Sequence, residues 1–397
     1  MQLYKRAAWA APWLIGMSGV ALAQTQVSGN AFNPAISLIL NGHYASYSHD
    51  PANYELSGFL PGADAGPGAE GLSLDESELA VSANVDDKYY GFMTASLAQD
   101  GSDTSIDLEE AYFETLALPK GLKVKAGRFL SDIGYLNPIH SHAWDFYDAP
   151  LAYAAMLNTA YKDTGIQLSW VAPSVLFVQL GVEYLRGDSF PAADGGASHG
   201  TGASSLFVHV GGDVGATTSW RAGVSHLAAD ANQRESVFAA GSSEFTGTSD
   251  LTIADFVWKW AKNGNPRDRY YIVQAEYLHR RERGDLLVTT AGAADAGGYT
   301  GTQSGFYVQG VYQFRPRWRV GLRYDRLEAG NVALISATTP LATDHTPSRI
   351  SAMSDFSNSE FSRLRLQFER DDSGPVSDNR VILQYLMSLG AHGAHRF

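Results

Sequence analysis

One segment concentrates the side chains able to do chemistry: Asp132, His140, His142, Asp145 and Asp148, with no lysine or arginine from Ser131 to Ala160. A His-x-His pair can hold zinc or copper when further donors converge, and Asp145 or Asp148 can supply one. The same imidazoles can equally be polar groups packed against a wall, since two histidines in a chain without cysteine are a sparse donor set. Transient zinc is thus the one cofactor these residues suggest, and no resident cofactor is expected. His392 and His395 lie on opposite faces of an alternating strand and form no such pair. Catalytic patterns point nowhere: there is no His-Glu-x-x-His and no phosphate-cradling glycine loop. Ser225 and His226 adjoin, but neighbours on a strand face opposite sides. No enzyme is expected.

The segment also carries Trp144, Phe146, Tyr147 and Leu151, too much apolar surface for a freely solvated connection. It must pack inside something wide, and the rest of the chain supplies it. Period-two alternation recurs throughout and convincing helical periodicity nowhere. In Phe361–Arg370, Leu364, Leu366 and Phe368 alternate with Arg363, Arg365, Gln367 and Glu369. In Trp318–Asp325, Val320, Leu322 and Tyr324 alternate with Arg319 and Arg323, and Leu122 and Val124 alternate with Lys123 and Lys125. An arginine facing lipid at mid-membrane costs about 2–4 kcal/mol, so these six cations are expected to line a lumen. Gln179 and Glu183 fall inside by the same parity, and the phase slips at Glu109-Glu110, which reads as a bulge.

Tight turns alternate with long polar connections. Thirteen strands are read up to Leu327, and Arg349–Phe356, Phe361–Arg370 and the closing stretch Asn379–Phe397 make sixteen. An even count is what places both termini on one side. The spans 230–249 and 285–303 read as loops. In the closing stretch Val381, Leu383, Tyr385, Met387 and Leu389 share one face, in phase with a terminal Phe397. A C-terminal strand ending in phenylalanine resembles the assembly signal of bacterial outer-membrane barrels, which implies recognition by the barrel-assembly machinery.

Lys5 and Arg6 precede an apolar run from Ala7 to Val20, and Ala21-Leu22-Ala23 fits a small-x-small cleavage pattern before Gln24. The expected division is a cleaved signal peptide over 1–23, a short periplasmic segment over 24–33 and a barrel over 34–397. Without cysteine, the exported chain is not a disulfide-stapled domain. With no later run long enough for a transmembrane helix, only a closed barrel can satisfy its backbone in lipid. Charged residues are 18% of the chain, under the roughly 25% of soluble domains. The formal charge of −13 becomes about −15 once Lys5 and Arg6 leave with the signal, which argues against nucleic acid as a partner.

Lys125-Ala126-Gly127-Arg128-Phe129 ending a strand, followed by an in-folded third loop with an Asp-Phe element and a proline, resembles the phosphate-selective porin O/P family. The resemblance implies a 16-stranded outer-membrane porin, a homotrimer in lipid and lipopolysaccharide, with the third extracellular loop folded into the lumen. That family's selectivity rests on a ladder of basic residues at the constriction, and the loop here has none, so phosphate selectivity does not carry over. The expected constriction is Asp132, His140, His142, Asp145 and Asp148, opposed across the pore by an arginine wall that sits further from the permeating ion. The expected function is passive diffusion of small polar solutes or ions with weak cation selectivity. Two alternatives stay open. One is a plugless uptake barrel for metal ions such as zinc, since about a dozen residues before the first strand leave no room for a plug. The other is a non-conducting structural barrel, favoured if the lumen is filled.

Overall fold

Alternation on this scale needs a partner ladder on both sides of every strand, and the fold supplies one by closing on itself. The computed structural model describes residues 34–100, 103–193, 202–238, 241–290, 293–330, 332–334 and 344–390. Its strands are β1 (Ala35–Tyr47), β2 (Gly71–Leu74), β3 (Ser77–Asn84), β4 (Tyr89–Asp100), β5 (Asp103–Thr115) and β6 (Leu122–Leu130). There follow β7 (Lys162–Val171), β8 (Phe177–Leu185), β9 (Ala203–Val214), β10 (Thr218–Phe238), β11 (Gly241–Ala261) and β12 (Tyr270–Thr290). The last are β13 (Ala293–Arg315), β14 (Trp318–Glu328), β15 (Val332–Leu334), β16 (Ser348–Ser359), β17 (Ser362–Asp372) and β18 (Asp378–Gly390).

Each pairs antiparallel with its neighbours, and β1 pairs with β18 in the register Leu38↔Leu389 to close the ring. Both β2 and β3 pair with β1, so together they are one interrupted wall strand. β15 pairs only with the outer part of β13, while β14 pairs directly with β16. The wall is therefore a closed, sixteen-stranded antiparallel barrel. No helix among the described residues is long and apolar enough to cross a membrane.

The alternation sorts side chains as parity requires. On β18, Val381, Leu383, Tyr385 and Leu389 are exposed on the outside, while Arg380, Ile382, Gln384 and Leu386 are buried. On β17, Leu364, Leu366 and Phe368 point out and Arg365, Gln367 and Glu369 are buried. The slip at Glu109-Glu110 is a real bulge: Thr94 pairs with Glu110 and Ala95 with Leu108, leaving Glu109 as the extra residue. Residues 391–397, including Phe397 and the terminal histidines, lie outside the described residues, as do 1–33.

Two expectations need correction. The spans 230–249 and 285–303 are ladders, not loops: β10 to β13 run 21, 21, 21 and 23 residues. Their Gly, Ser and Thr content reads as loop chemistry, yet their backbones pair in register. Secondly, the 130–161 connection contains a helix, α1 (Leu151–Leu157), every residue of which is buried. A helix apolar all round shows no period for sequence reading to find.

A candidate constriction built on the 131–161 connection

A ring of this size leaves room that water or protein must fill, and here the connection from β6 to β7 lies inside it. Its ends are stapled together by Asn137, whose amide donates to Ser131 O and Tyr161 O at 2.8 Å each and accepts from Tyr161 N at 2.7 Å. From there the connection touches inward-facing side chains of β3, β5, β8, β10, β12, β14, β16 and β17, which surround the lumen. Its interior is an apolar core: Ile133, Leu136, Trp144 and all of α1 are buried, joined by Leu56 and Phe59 of the 48–70 connection, while Phe146 packs separately against Val311 and Met353 of the wall.

An irregular backbone at this depth has no water to bond, so the wall satisfies it. Glu276 accepts from Tyr135 N and Leu136 N at 3.0 Å each, from Tyr153 OH at 2.9 Å and from Tyr307 OH at 2.5 Å. Glu183 takes Asp132 N at 3.1 Å and the Ser131 hydroxyl. Carbonyls are met by guanidinium groups: Arg363 reaches His142 O at 2.6 Å, Arg365 reaches Trp144 O at 2.5 Å and Arg349 reaches Ala149 O at 2.5 Å. Gly134 sits beside Glu276 at φ +65°, and a Cβ there would stand 2.5 Å from Glu276 Oε2 and 2.7 Å from Tyr153 OH. Only glycine fits that backbone against those two atoms.

The charges of the connection are sorted by sector. Its acidic side meets the arginines of β14 and β16. Asp145 pairs with Arg319 at 2.8 Å, and Arg319 also grips Asp355 at 2.5 Å. Asp148 pairs with Arg323 at 2.9 Å and Arg349 at 2.6 Å and accepts from Gln367 at 2.8 Å. Burial works against an ionised Asp148, but Arg323 and Arg349 outweigh it and hold its carboxyl below the usual range. The imidazole side meets the acidic wall of β3 and β5. His140 Nε2 lies 2.8 Å from Glu110 and its Nδ1 3.2 Å from Glu78, whose other oxygen is 2.8 Å from His142 Nδ1. Burial opposes a charged His140, yet Glu78 and Glu110 raise it well above its ordinary value.

This corrects the sequence reading in two respects. The arginine wall is not further from the passage than the loop carboxylates; the two are in contact. An apolar connection bearing lone carboxylates in a low-dielectric interior collapses onto available cations, because an uncompensated buried charge is far costlier than a paired one. Nor do Asp145 and Asp148 approach the histidines: they are spent on arginines, and Glu78 and Glu110 take their place. Asp132 is half-buried near the Glu183 end. Lys123 pairs with Glu114 at 3.2 Å, and Lys125 lies over the Tyr112 and Phe129 rings at 5.0 and 5.2 Å. Sequence reasoning missed Glu78, Glu110, Glu276, Arg349 and Gln367 as partners of the connection. Inward parity on their strands was the available signal. Gly196-Ala197-Ser198-His199-Gly200 spells a nucleophile-elbow pattern, whose meaning depends on a strand–turn–helix context, and it lies outside the described residues.

Comparison with known proteins places this architecture. An uncharacterised protein of Aquifex aeolicus is 30% identical, the match covering 93% of this chain and 81% of that protein. OmpT of Vibrio cholerae in its trimer form aligns with a TM-score of 0.53 at 10% identity, over 90% of this chain and 99% of its own. The outer membrane channel DcaP of Acinetobacter baumannii gives 0.53 at 13% identity, over 90% and 96%. At these identities the two structures share the fold alone. Residues 80–385 match the family described as "Putative beta-barrel porin-2, OmpL-like". The resemblance to porins therefore holds at the level of the class, a channel class and not an enzyme class, while the phosphate-selective branch is not the family matched. The chain belongs to the OmpL-like beta-barrel porin-2 family.

Proposed function

We propose that the protein is an outer-membrane porin, a passive diffusion path for small polar solutes or ions, constricted by the 131–161 connection and weakly cation-selective. The sign rests on the lining, not on the connection. Among the described residues the buried charged side chains are fourteen carboxylates and six guanidiniums. A monovalent cation about 4 Å from one carboxylate gains roughly 4 kcal/mol at an effective dielectric near 20, and each arginine in contact with a carboxylate cancels most of that at a distance. The excess is acidic, and among the described residues the carboxylates that accept hydrogen bonds without an ion pair are Asp163, Glu183 and Glu276 on β7, β8 and β12, whereas Glu114 faces Lys123 and Glu78 and Glu110 face His140. Lipid, lipopolysaccharide and the barrel-assembly machinery are the partners this location requires. The trimer form of OmpT supports a homotrimer for this chain too.

The reversal potential of the purified protein in a planar bilayer under a salt gradient tests this reading. A modest cation preference is the expected result, with no block by phosphate. An anion-selective potential would mean that the arginines of β14, β16 and β17 dominate the passage. One observation favours the second reading, a barrel that does not conduct in this state: the connection reaches wall strands all round the lumen and its core is apolar and buried. Absence of any conductance under every salt would establish it.

Orientation is tested separately. The long connections 48–70, 131–161 and 186–202 all fall at one end of the barrel, and the opposite end carries short ones such as Pro119–Gly121. With the tight turns periplasmic, a cysteine at exposed Asp344 is expected to label with a membrane-impermeant reagent on intact cells, and one at Lys120 only after lysis. Labelling of Lys120 on intact cells would invert the barrel.

A further inference from the structure

Glu78 and the His140–His142 pair reach one point from two separate parts of the fold, a wall strand and the connection inside it. The Glu78 side chain is 4% exposed, with one oxygen on each imidazole at 3.2 and 2.8 Å. One donor atom from each of the three residues lies within 4.8 Å of the other two. A tetrahedral zinc ion about 2.0–2.1 Å from each ligand holds its donors about 3.3 Å apart, so small side-chain rotations suffice. The short turn Ser141–Ala143 is what brings two imidazoles, one residue apart, to the same side, their ring centroids 5.7 Å apart and nearly parallel.

The surroundings are those of a metal ligand. His140 presents Nδ1 to the cluster, and its opposite nitrogen faces Glu110 Oε2 at 2.8 Å. Glu110 is itself fixed, since its other oxygen accepts from Leu130 N at 3.0 Å. A carboxylate behind a histidine sets the tautomer that leaves the far nitrogen free to ligate, and raises its basicity. The His140 and His142 side chains remain 18% and 13% exposed, which leaves a fourth position open to water. Two nitrogens and one oxygen suit zinc, copper, nickel or cobalt, not the oxygen-seeking magnesium or calcium.

We propose that Glu78, His140 and His142 form a divalent transition-metal site, with Glu110 orienting His140, and that the bound ion clasps the connection to β3 of the barrel wall. Ligation needs each imidazole neutral at the ligating nitrogen, so zinc affinity is expected to fall as the pH is lowered. The site stands independently of whether the barrel conducts.

The test is calorimetric titration of the full refolded barrel in detergent with zinc chloride, paralleled by cobalt chloride and visible absorption. One equivalent of zinc is expected, with magnesium giving no heat and cobalt giving the intense bands of a tetrahedral site. His142→Ala and Glu78→Gln should each weaken zinc binding at least tenfold, and Glu110→Gln by about 10–100-fold, while Asp145→Asn leaves it unchanged. If His142→Ala fails to refold, Glu78→Gln and Glu110→Gln carry the comparison through the cobalt spectrum of refolded protein. No zinc binding by the wild type, or affinity unmoved by both glutamate variants, overturns the site and leaves the four residues as a hydrogen-bonded latch. Bilayer conductance on the same preparations separates this from the diffusion reading: a silent barrel that binds zinc removes the channel and keeps the site.

Discussion

Glu276→Ala is expected to free the 131–161 connection and raise single-channel conductance several-fold, with frequent large fluctuations. One carboxylate accepts four hydrogen bonds there, two from backbone N–H groups and two from tyrosine hydroxyls, and is itself 2% exposed. Removing it strands four buried donors. Three of them belong to the connection, Tyr307 being on β13, so at about 1–3 kcal/mol for each donor left unpaired the connection loses at least about 3 kcal/mol of its docking energy. The barrel ladder, with its backbone bonds untouched, should keep its heat-modifiable mobility in electrophoresis. Limited proteolysis gives the independent reading, with new cleavage inside 131–161 and nowhere in the strands. Glu276→Gln restores little, because an amide offers one acceptor oxygen where the carboxylate offers two. Unchanged conductance together with an unchanged proteolytic pattern would show that the connection is held without Glu276.

Asp148→Ala is the second large effect. The carboxylate is shared by Arg323, Arg349 and Gln367, and its loss leaves two buried guanidinium groups short of a counter-charge. Breaking one partner out of a buried ion-pair network costs about 3–5 kcal/mol. Asp325 lies 2.9 Å from Arg323 but only 3.8 Å from Arg349, so Arg349 bears most of the loss. The reversal potential should move toward anions as conductance rises, because the cations of β14 and β16 become available to the passage. Adding Arg349→Met should return much of the stability and the cation preference. A single variant as stable as wild type, or a double variant no better than the single, would mean the pair contributes nothing to docking.

The wall was largely legible because lipid imposes a strict rule: a strand with water or protein on one face and hydrocarbon on the other must alternate. That rule gave sixteen strands, their parity and even the extra residue at Glu109. The outward halves of β10 to β13 escaped it because beyond the membrane no apolar face is required, and SSEFTGTSD has the chemistry of a loop. The connection was legible as to place but not as to partners. Its aromatic content said that it packs inside, whereas the pairing of Asp148 with Arg349, or of His142 with Glu78, joins residues 201 and 64 positions apart through a closed ring. No local pattern carries that. α1 was invisible for the opposite reason, being apolar on every side.

The ladders of β10 to β13 have a consequence of their own. A strand needs about 9–11 residues to cross the hydrocarbon, and a barrel has no edges only where its ring is complete. Above the ring these four strands form an open sheet, so two edges reappear. Beyond Ala229, the last β10 residue paired with β9, no described strand covers that side of β10. Among the described residues β13 is covered there at Tyr299–Gly301 alone, by Val332–Leu334. An uncovered edge is a template for another chain's strand, and the β10 edge is built to refuse one. Its register slips between Ala231 and Arg234, with Gln233 at φ +53°, which breaks the flat row of donors and acceptors. Asp230 and Glu235 stand exposed on either side of the slip and make an incoming strand bury charge. The irregularity on β10 is thus a guard against edge-to-edge aggregation, placed where the barrel stops protecting itself.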